Sequence, residues 1–301
     1  MRTVVVGLGV QGRKRAQIAG SDVVATVDPV VGGATHRALA EVPAESYDCV
    51  LLCIPDAPKP DLIEHALSRG KHVLVEKPLL AGAGKLQHLA RVAEQSRAVC
   101  YTAYNHRFEP HIVRMKQDIA SGRLGRVYAA RFYYGNGTAR DVRNSAWRDQ
   151  GAGVIPDLGS HLLDTALFLF DCRDTKVALW SAQRHENRAF DHACFGADGE
   201  PGLEMTVSLL SWRNHFTADV YGEKGSAHIA SLCKWGPSSY TLRGRVLPSG
   251  RPDEETVTLV QGDPTWALEY AHFRRLCAAG GPSNIDNDLW IQANLERLGA
   301  A

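Results

Sequence analysis

Three glycines in a fixed frame limit what this chain can become. A run of mostly β-branched residues, Thr3-Val4-Val5-Val6, leads straight into Gly7-Leu8-Gly9-Val10-Gln11-Gly12, and a helical stretch from Arg13 to Ile18 follows. Each glycine answers a separate demand of a strand that turns into a helix over a pyrophosphate. Gly7 permits the tight turn, Gly9 lets the backbone approach the ligand, and Gly12 lets the helix pack on the strand. The helix N-terminus attracts negative charge, so Val10 and Gln11 join the glycines as expected cofactor contacts. A second apolar strand, Val23 to Val27, ends at Asp28, sixteen positions after Gly12. A carboxylate there accepts hydrogen bonds from a ribose diol and repels a 2'-phosphate, so NAD rather than NADP is expected. Without Asp28, the glycines would equally suit an ordinary strand-to-helix turn that binds no nucleotide.

Strand and helix signals then alternate to about residue 105: Asp48 to Ile54, a helix from Asp61 to Ser68, the strand His72 to Val75, a helix from Lys85 to Ser96, and the strand Ala98 to Ala103. This pattern predicts an α/β Rossmann domain, a doubly wound parallel sheet, over residues 1–106. Ligands of open α/β sheets sit outside the carboxyl ends of the strands. Ile54 and Pro55 after the third strand, and Glu76 and Lys77 after the fourth, therefore join the expected cofactor contacts. Lys77, delivered by an apolar strand to that edge, is also a catalytic candidate. After a helix from Pro110 to Ala120 the pattern changes, and strands succeed one another from Arg126 to Ala230. Residues 107–301 are predicted to form an α+β domain with an open, mostly antiparallel sheet. The Pro/Gly/Ser-rich patch from Gly236 to Pro252 reads as a loop, and helices from Thr265 to Ala278 and Asn287 to Leu298 close the chain.

Composition narrows the partners. Among 301 residues, 34 Lys and Arg balance 33 Asp and Glu, which gives no electrostatic footprint for nucleic acid or a membrane surface and points to a small molecule. Seven cysteines at 49, 53, 100, 172, 194, 233 and 277 lie mostly in apolar segments, as reduced core thiols do, and no metal site is expected. The amino terminus enters a strand without a basic, then apolar, leader, so the expected location is the cytoplasm.

A second informative segment runs from Gly151-Ala152-Gly153 to Asp164. Its glycines enter a helix bearing Asp157 and His161, four apart and so on one face, with Asp164 beyond. That face holds a proton acceptor beside a hydrogen-bonding carboxylate. The same residues also read as an N-terminal helix charge at Asp157 and a satisfied, buried histidine at His161.

Gly7 to Gly12, Asp28, Glu76-Lys77-Pro78, Asn105-His106-Arg107-Phe108 and Asp157-x-Gly159-x-His161, in this order, resemble the glucose-fructose oxidoreductase, inositol dehydrogenase and rhizopine-catabolism (Gfo/Idh/MocA) family. The resemblance implies a Rossmann domain followed by an open sheet that forms subunit contacts, and a homodimer or homotetramer. It assigns Lys77 and His161 to catalysis, with Asp157 orienting the substrate. Two departures stand out. The usual glycine triplet is Gly151-Ala152-Gly153, and a histidine common after the third strand is missing from Asp56 to Pro60, which removes one cofactor contact. The chemistry fits these residue types. Oxidising a secondary alcohol requires a base with a pKa near the working pH, which His161 supplies, and a cation such as Lys77 beside the developing alkoxide.

Between Tyr133 and Asp149 lie Arg140, Arg143 and Arg148 against Asp141 and Asp149. Arginine forks suit phosphate oxygens and Trp147 could stack on a ring, so Arg107, Arg143, Trp147 and Arg148 join Lys77, Asp157 and His161 as expected substrate contacts. The alternative is a solvated loop whose arginines pair with Asp141 and Asp149. The stretch is similar to the nucleotide-sugar branch of the family, the UDP-N-acetylglucosamine 3-dehydrogenases of lipid A synthesis, which implies a UDP-sugar substrate oxidised to a 3-keto sugar. A free-sugar or cyclitol dehydrogenase would share the catalytic residues without needing the arginines, and an NAD-binding regulator would need neither.

Overall fold

Short runs of fully buried aliphatic residues, alternating in side-chain direction, build the first sheet. The structure, a computed structural model, describes residues 1–146 and 148–299; Trp147, expected at the substrate, lies outside the described residues. The elements are β1 (Thr3–Val6), α1 (Val10–Ala19), β2 (Val23–Val27), β3 (Cys49–Leu52), α2 (Lys59–Leu67), β4 (His72–Glu76), α3 (Ala83–Ser96) and β5 (Cys100–Ala103). The strands pair in parallel in the order β2-β1-β3-β4-β5. Period-two alternation sends Val4, Val6, Val50, Leu52, Val73 and Val75 to the face covered by α2 and α3, while Val5, Leu51 and Leu74 point to the opposite face. Register aligns Val6 with Leu52 and Leu52 with Val75. The residues that follow these strands, Gly7, Ile54 and Lys77 among them, are thereby brought along one edge of the sheet.

The remaining elements are α4 (Pro110–Ala120), β6 (Val127–Gly135), α5 (Ala139–Arg143), α6 (Ser160–Phe170), β7 (Ala178–Gln183), β8 (His192–Ala197), β9 (Gly202–Ser208), β10 (His215–Gly222), β11 (Gly225–Ala230), β12 (Ser238–Gly244), β13 (Glu254–Leu259), α7 (Thr265–Ala279) and α8 (Ile285–Gly299). The second sheet has the order β13-β12-β11-β10-β6-β9-β8-β7 and is antiparallel except at β6–β9. One face is apolar and buried, with Phe132, Tyr134, Phe195, Met205, Phe216, Val220 and Ile229. The other carries groups such as the Arg131–Glu204 ion pair, which stays solvated.

Two expectations need correction. The patch from Gly236 to Pro252 is not all loop: it contains β12, in which Tyr240 and Leu242 alternate inward. The turn-forming residues at its ends masked a strand that pairs with its chain neighbours β11 and β13. The chain also divides differently from the boundary at 107–301. One body comprises Met1–Asn105 with Thr265–Gln292, and the other His106–Pro264 with the rest of α8. The physical reason is the open side of the first sheet. Tyr270 and Phe273 of α7 fill the core against Val5, Cys49, Leu51, Leu74 and Tyr101, and Ile285 of α8 joins the layer beneath α2 and α3. Among the described residues no helix is long and apolar enough to cross a membrane.

Phe273 is fully buried, so Phe273→Ala should destabilise the protein by about 3–5 kcal/mol. Urea denaturation followed by circular dichroism measures this, and a loss under about 1 kcal/mol would show that α7 does not complete the first core.

Candidate active site

The glycine turn has the strict geometry that its residue types promised. Gly7 has φ +89°, and a Cβ there would stand 2.3 Å from the Cys53 carbonyl oxygen and 3.0 Å from Ile54 Cγ2. A Cβ on Gly12 would fall 1.7 Å from the Gly7 carbonyl oxygen. Gly9 differs: nothing lies within 4 Å of its missing Cβ, and it caps α1 without a side-chain hydrogen bond or an acidic residue in the first turn. Val10 and Gln11 are exposed beside it. An uncapped helix end with open space at its first residue suits a pyrophosphate, which would satisfy those N–H groups. The residues present therefore fit NAD at this edge, with Ile54 packed against the turn and Pro55 exposed beyond it.

Asp28 does more than await a ribose. Its Oδ2 accepts the Leu8 N–H at 2.7 Å, and its Oδ1 accepts those of Val30 and Val31 at 2.9 and 2.8 Å. Backbone bonds from Val31 and Leu8, with the nearby Arg37 charge, hold its carboxyl below the usual carboxylate range despite its burial. Of about four lone-pair sites on a carboxylate, three are used. One remains on the oxygen beside the glycine loop.

At the end of β4, Glu76 accepts Arg15 Nε at 2.7 Å, and Arg15 Nη2 reaches Glu269 of α7 at 2.6 Å. Burial opposes the Arg15 charge, and Glu269 and Glu76 more than offset it, raising its pKa. Trp266 covers the guanidinium, 4.2 Å from ring centre to Cζ. Glu76, expected to touch the cofactor, is thus engaged by a buried arginine. Lys77 follows it, partly buried. Lys59 of α2 bonds the backbone on both sides of Lys77. Sequence reasoning missed Arg15 and Glu269, whose ion pairs span 61 and 254 positions, and Lys59, whose role depends on backbone carbonyls of the β4 turn.

In the second body, Gly153 has φ +46° and a Cβ there would lie 2.4 Å from the Phe190 carbonyl oxygen, so the glycine-bearing loop is fixed by close packing. The chain then passes through one π-helical turn, Ile155–Gly159, into α6. Such turns are frequent at functional sites because they re-aim side chains. His161 is 7% exposed. Its ring stacks on His106 at 4.2 Å and meets Tyr134 edge-on at 5.6 Å. Burial, together with the charge of Asp157, raises the pKa of the Tyr134 hydroxyl. Trp235 lies 5.8 Å from the same ring. The structure brings His106, Tyr134, Asp157 and His161 into one neighbourhood, of which sequence reasoning had named Asp157 and His161.

The arginines are less available than expected. Arg107 grips Asp164 through three hydrogen bonds of 2.7–3.0 Å. Burial pushes Asp164 above its ordinary range, and Arg107 opposes that shift. Arg148 pairs with Asp157 at 3.4 Å and Arg143 with Glu186 at 3.0 Å. Of the acids first considered as their partners, Asp149 accepts the Ala189 N–H.

Comparison with known proteins agrees with this layout. A family model described as the oxidoreductase family, NAD-binding Rossmann fold, matches residues 1–104, and one described as the GFO/IDH/MocA C-terminal domain matches residues 112–228. An uncharacterized oxidoreductase of Schizosaccharomyces pombe is 33% identical over 50% of this chain, and the match spans only 41% of that relative. The scyllo-inositol 2-dehydrogenase (NAD(+)) of Bacillus subtilis is 26% identical over 98% of this chain and 91% of its own. Among solved structures, a UDP-N-acetylglucosamine 3-dehydrogenase from Acidithiobacillus ferrooxidans matches with a TM-score of 0.80 at 18% identity, covering 100% of this chain and 97% of that one. At that identity the likeness speaks to the fold.

The Asp28 bonds carry a sign. A carboxyl with a depressed folded-state pKa stabilises the fold fully above its unfolded value, about 3.9, and loses that contribution as pH falls through the depressed value. The wild-type protein should therefore lose stability relative to Asp28→Asn below about pH 4. Urea unfolding from pH 3 to 7 reads this, and parallel curves for the two proteins would show that the Leu8, Val30 and Val31 bonds do not favour the ionised form.

Proposed function

We propose that this chain, which belongs to the GFO/IDH/MocA family of NAD-binding oxidoreductases, oxidises a secondary hydroxyl of an uncharged polyol, a cyclitol or a free sugar. The observation that carries the proposal is the pairing of the arginines. A pyrophosphate needs free guanidinium forks, and Arg107, Arg143 and Arg148 are each already bonded to a carboxylate. A polyol instead needs hydrogen-bonding groups among apolar walls, which Asp157, His161 and Tyr134 offer. The inositol dehydrogenase of Bacillus subtilis, which matches over nearly the whole chain, supports the same class.

NAD, when bound, supplies the hydride acceptor. The chain's own residues handle the rest. His161 takes the hydroxyl proton as general base. The Lys77 ammonium steadies the developing alkoxide. Asp157, backed by Arg148, orients the hydroxyl. One observation favours a nucleotide sugar as a second choice: the Arg143–Glu186 pair is solvent-facing, with side chains 49% and 36% exposed, and such pairs contribute little and open readily.

Measuring NADH formation with myo-inositol, scyllo-inositol, glucose and UDP-N-acetylglucosamine separates the two. Turnover with a cyclitol or free sugar is expected, and turnover with the UDP-sugar alone would reverse the assignment. NAD should bind more tightly than NADP by over about tenfold, or about 1.4 kcal/mol; equal affinities by calorimetry would remove Asp28 from cofactor choice.

His161→Asn should lower kcat by about a hundredfold or more, and Lys77→Met by at least as much, while the NAD dissociation constant stays within about threefold. A His161→Asn enzyme with wild-type turnover and pH profile would place the base elsewhere.

A further inference from the structure

Lys59 is a buried cation that the chemistry above leaves unused. It is the first residue of α2 and 2% exposed. Its Nζ donates to Asp56 Oδ1 at 2.6 Å, to the Glu76 carbonyl at 2.7 Å and to the Pro78 carbonyl at 2.9 Å. An ammonium has three N–H donors, and all three are committed. Two of the acceptors bracket Lys77. The ladder between β4 and β5 ends at Glu76, opposite Ala103, so Lys59 takes hold of the backbone where the sheet stops holding it.

A lysine is an expensive way to fill this position. Burying an ammonium costs several kcal/mol before its partners repay any of it, and burial lowers the Lys59 pKa against the opposing pull of Asp56. A cation in the first turn of a helix also opposes the helix dipole. An apolar residue would fill the space without either penalty.

We propose that Lys59 is a positioning residue, its ammonium pinning the Glu76-Lys77-Pro78 turn so that Lys77 leaves the strand end in one direction. This rests on Lys77 being the group that steadies the alkoxide. Lys59 does not touch the reacting atoms. It acts through the backbone that carries Lys77.

The test is a double-mutant cycle, run with NAD and whichever of myo-inositol or UDP-N-acetylglucosamine the wild-type protein oxidises. Lys59→Met should lower kcat about tenfold or more, leave the NAD dissociation constant within about threefold, and add less than about twofold to the loss already caused by Lys77→Met. Lys59→Gln, whose amide keeps two donors, should recover part of the loss, and it stands in should the Met variant fail to fold by circular dichroism. A Lys59 variant with kcat within about twofold of wild type, or one that costs Lys77→Met as much as it costs the wild type, would overturn the proposal. Full turnover in Lys77→Met would instead remove the role of Lys77 itself. Hydrogen exchange reads the clamp without any substrate. The segment 76–82 should exchange at least about fivefold faster in the Lys59 variant while β1 is unchanged, and equal protection would show that Lys59 does not hold the turn.

Discussion

Arg15 is the interaction on which the functional edge of the first body depends. Fully buried on α1, it bonds Glu76 at the end of β4 and Glu269 on α7. It therefore ties the helix that faces the pyrophosphate to the strand that delivers Lys77, and both to a helix returning from the far end of the sequence. Removing one partner from such a buried pair strands a charge at a cost of about 3–5 kcal/mol. That cost makes the arrangement all-or-none. Lys59 extends the same logic one step outward, holding the backbone around Lys77 where Arg15 holds the side chain before it. Asp28 does the equivalent for the glycine loop, through N–H groups rather than charges.

The second body is organised by the same kind of bond, with a consequence for substrate choice. Asp164 lies wholly inside α6 packing and draws Arg107 to it. Asp157 takes Arg148, and Glu186 takes Arg143. Three arginines that look in sequence like a phosphate-binding set each meet a carboxylate, Arg107 at the buried Asp164 and Arg148 and Arg143 in two solvent-accessible pairs. Around His161 stand the His106 and Tyr134 rings, with Trp235 and the Lys234 ammonium against Tyr134 beyond them; the proposal of an uncharged substrate rests on the paired arginines.

How much of this could be read from the chain follows from where each constraint lives. Gly7 and Gly12 were legible because a backbone approach under 3 Å excludes every side chain, and the demand falls on one position; the same demand at Gly153 was not, because it comes from Phe190, 37 positions on. Lys77 was legible because strand and turn signals place it at a sheet edge. Arg15 was not, since its partners stand 61 and 254 positions away and no local pattern joins them. The same holds for α7, whose Tyr270 and Phe273 look like any amphipathic helix until the open face of the first sheet is seen. The type of Arg107, Arg143 and Arg148 was visible, but their pairing was not, and the pairing decides what they do. β12 was hidden by the turn-forming residues around it.

The central claim is that the substrate carries no phosphate, and binding tests it without waiting for the right sugar. Calorimetric titration of UDP into the NAD-saturated protein should show no saturable heat, with any dissociation constant weaker than about 1 mM, or about 4 kcal/mol of binding. A dissociation constant near about 10 μM, about 7 kcal/mol, lost on replacing Arg143 or Arg148 by Ala, would contradict the account and return those arginines to a nucleotide sugar.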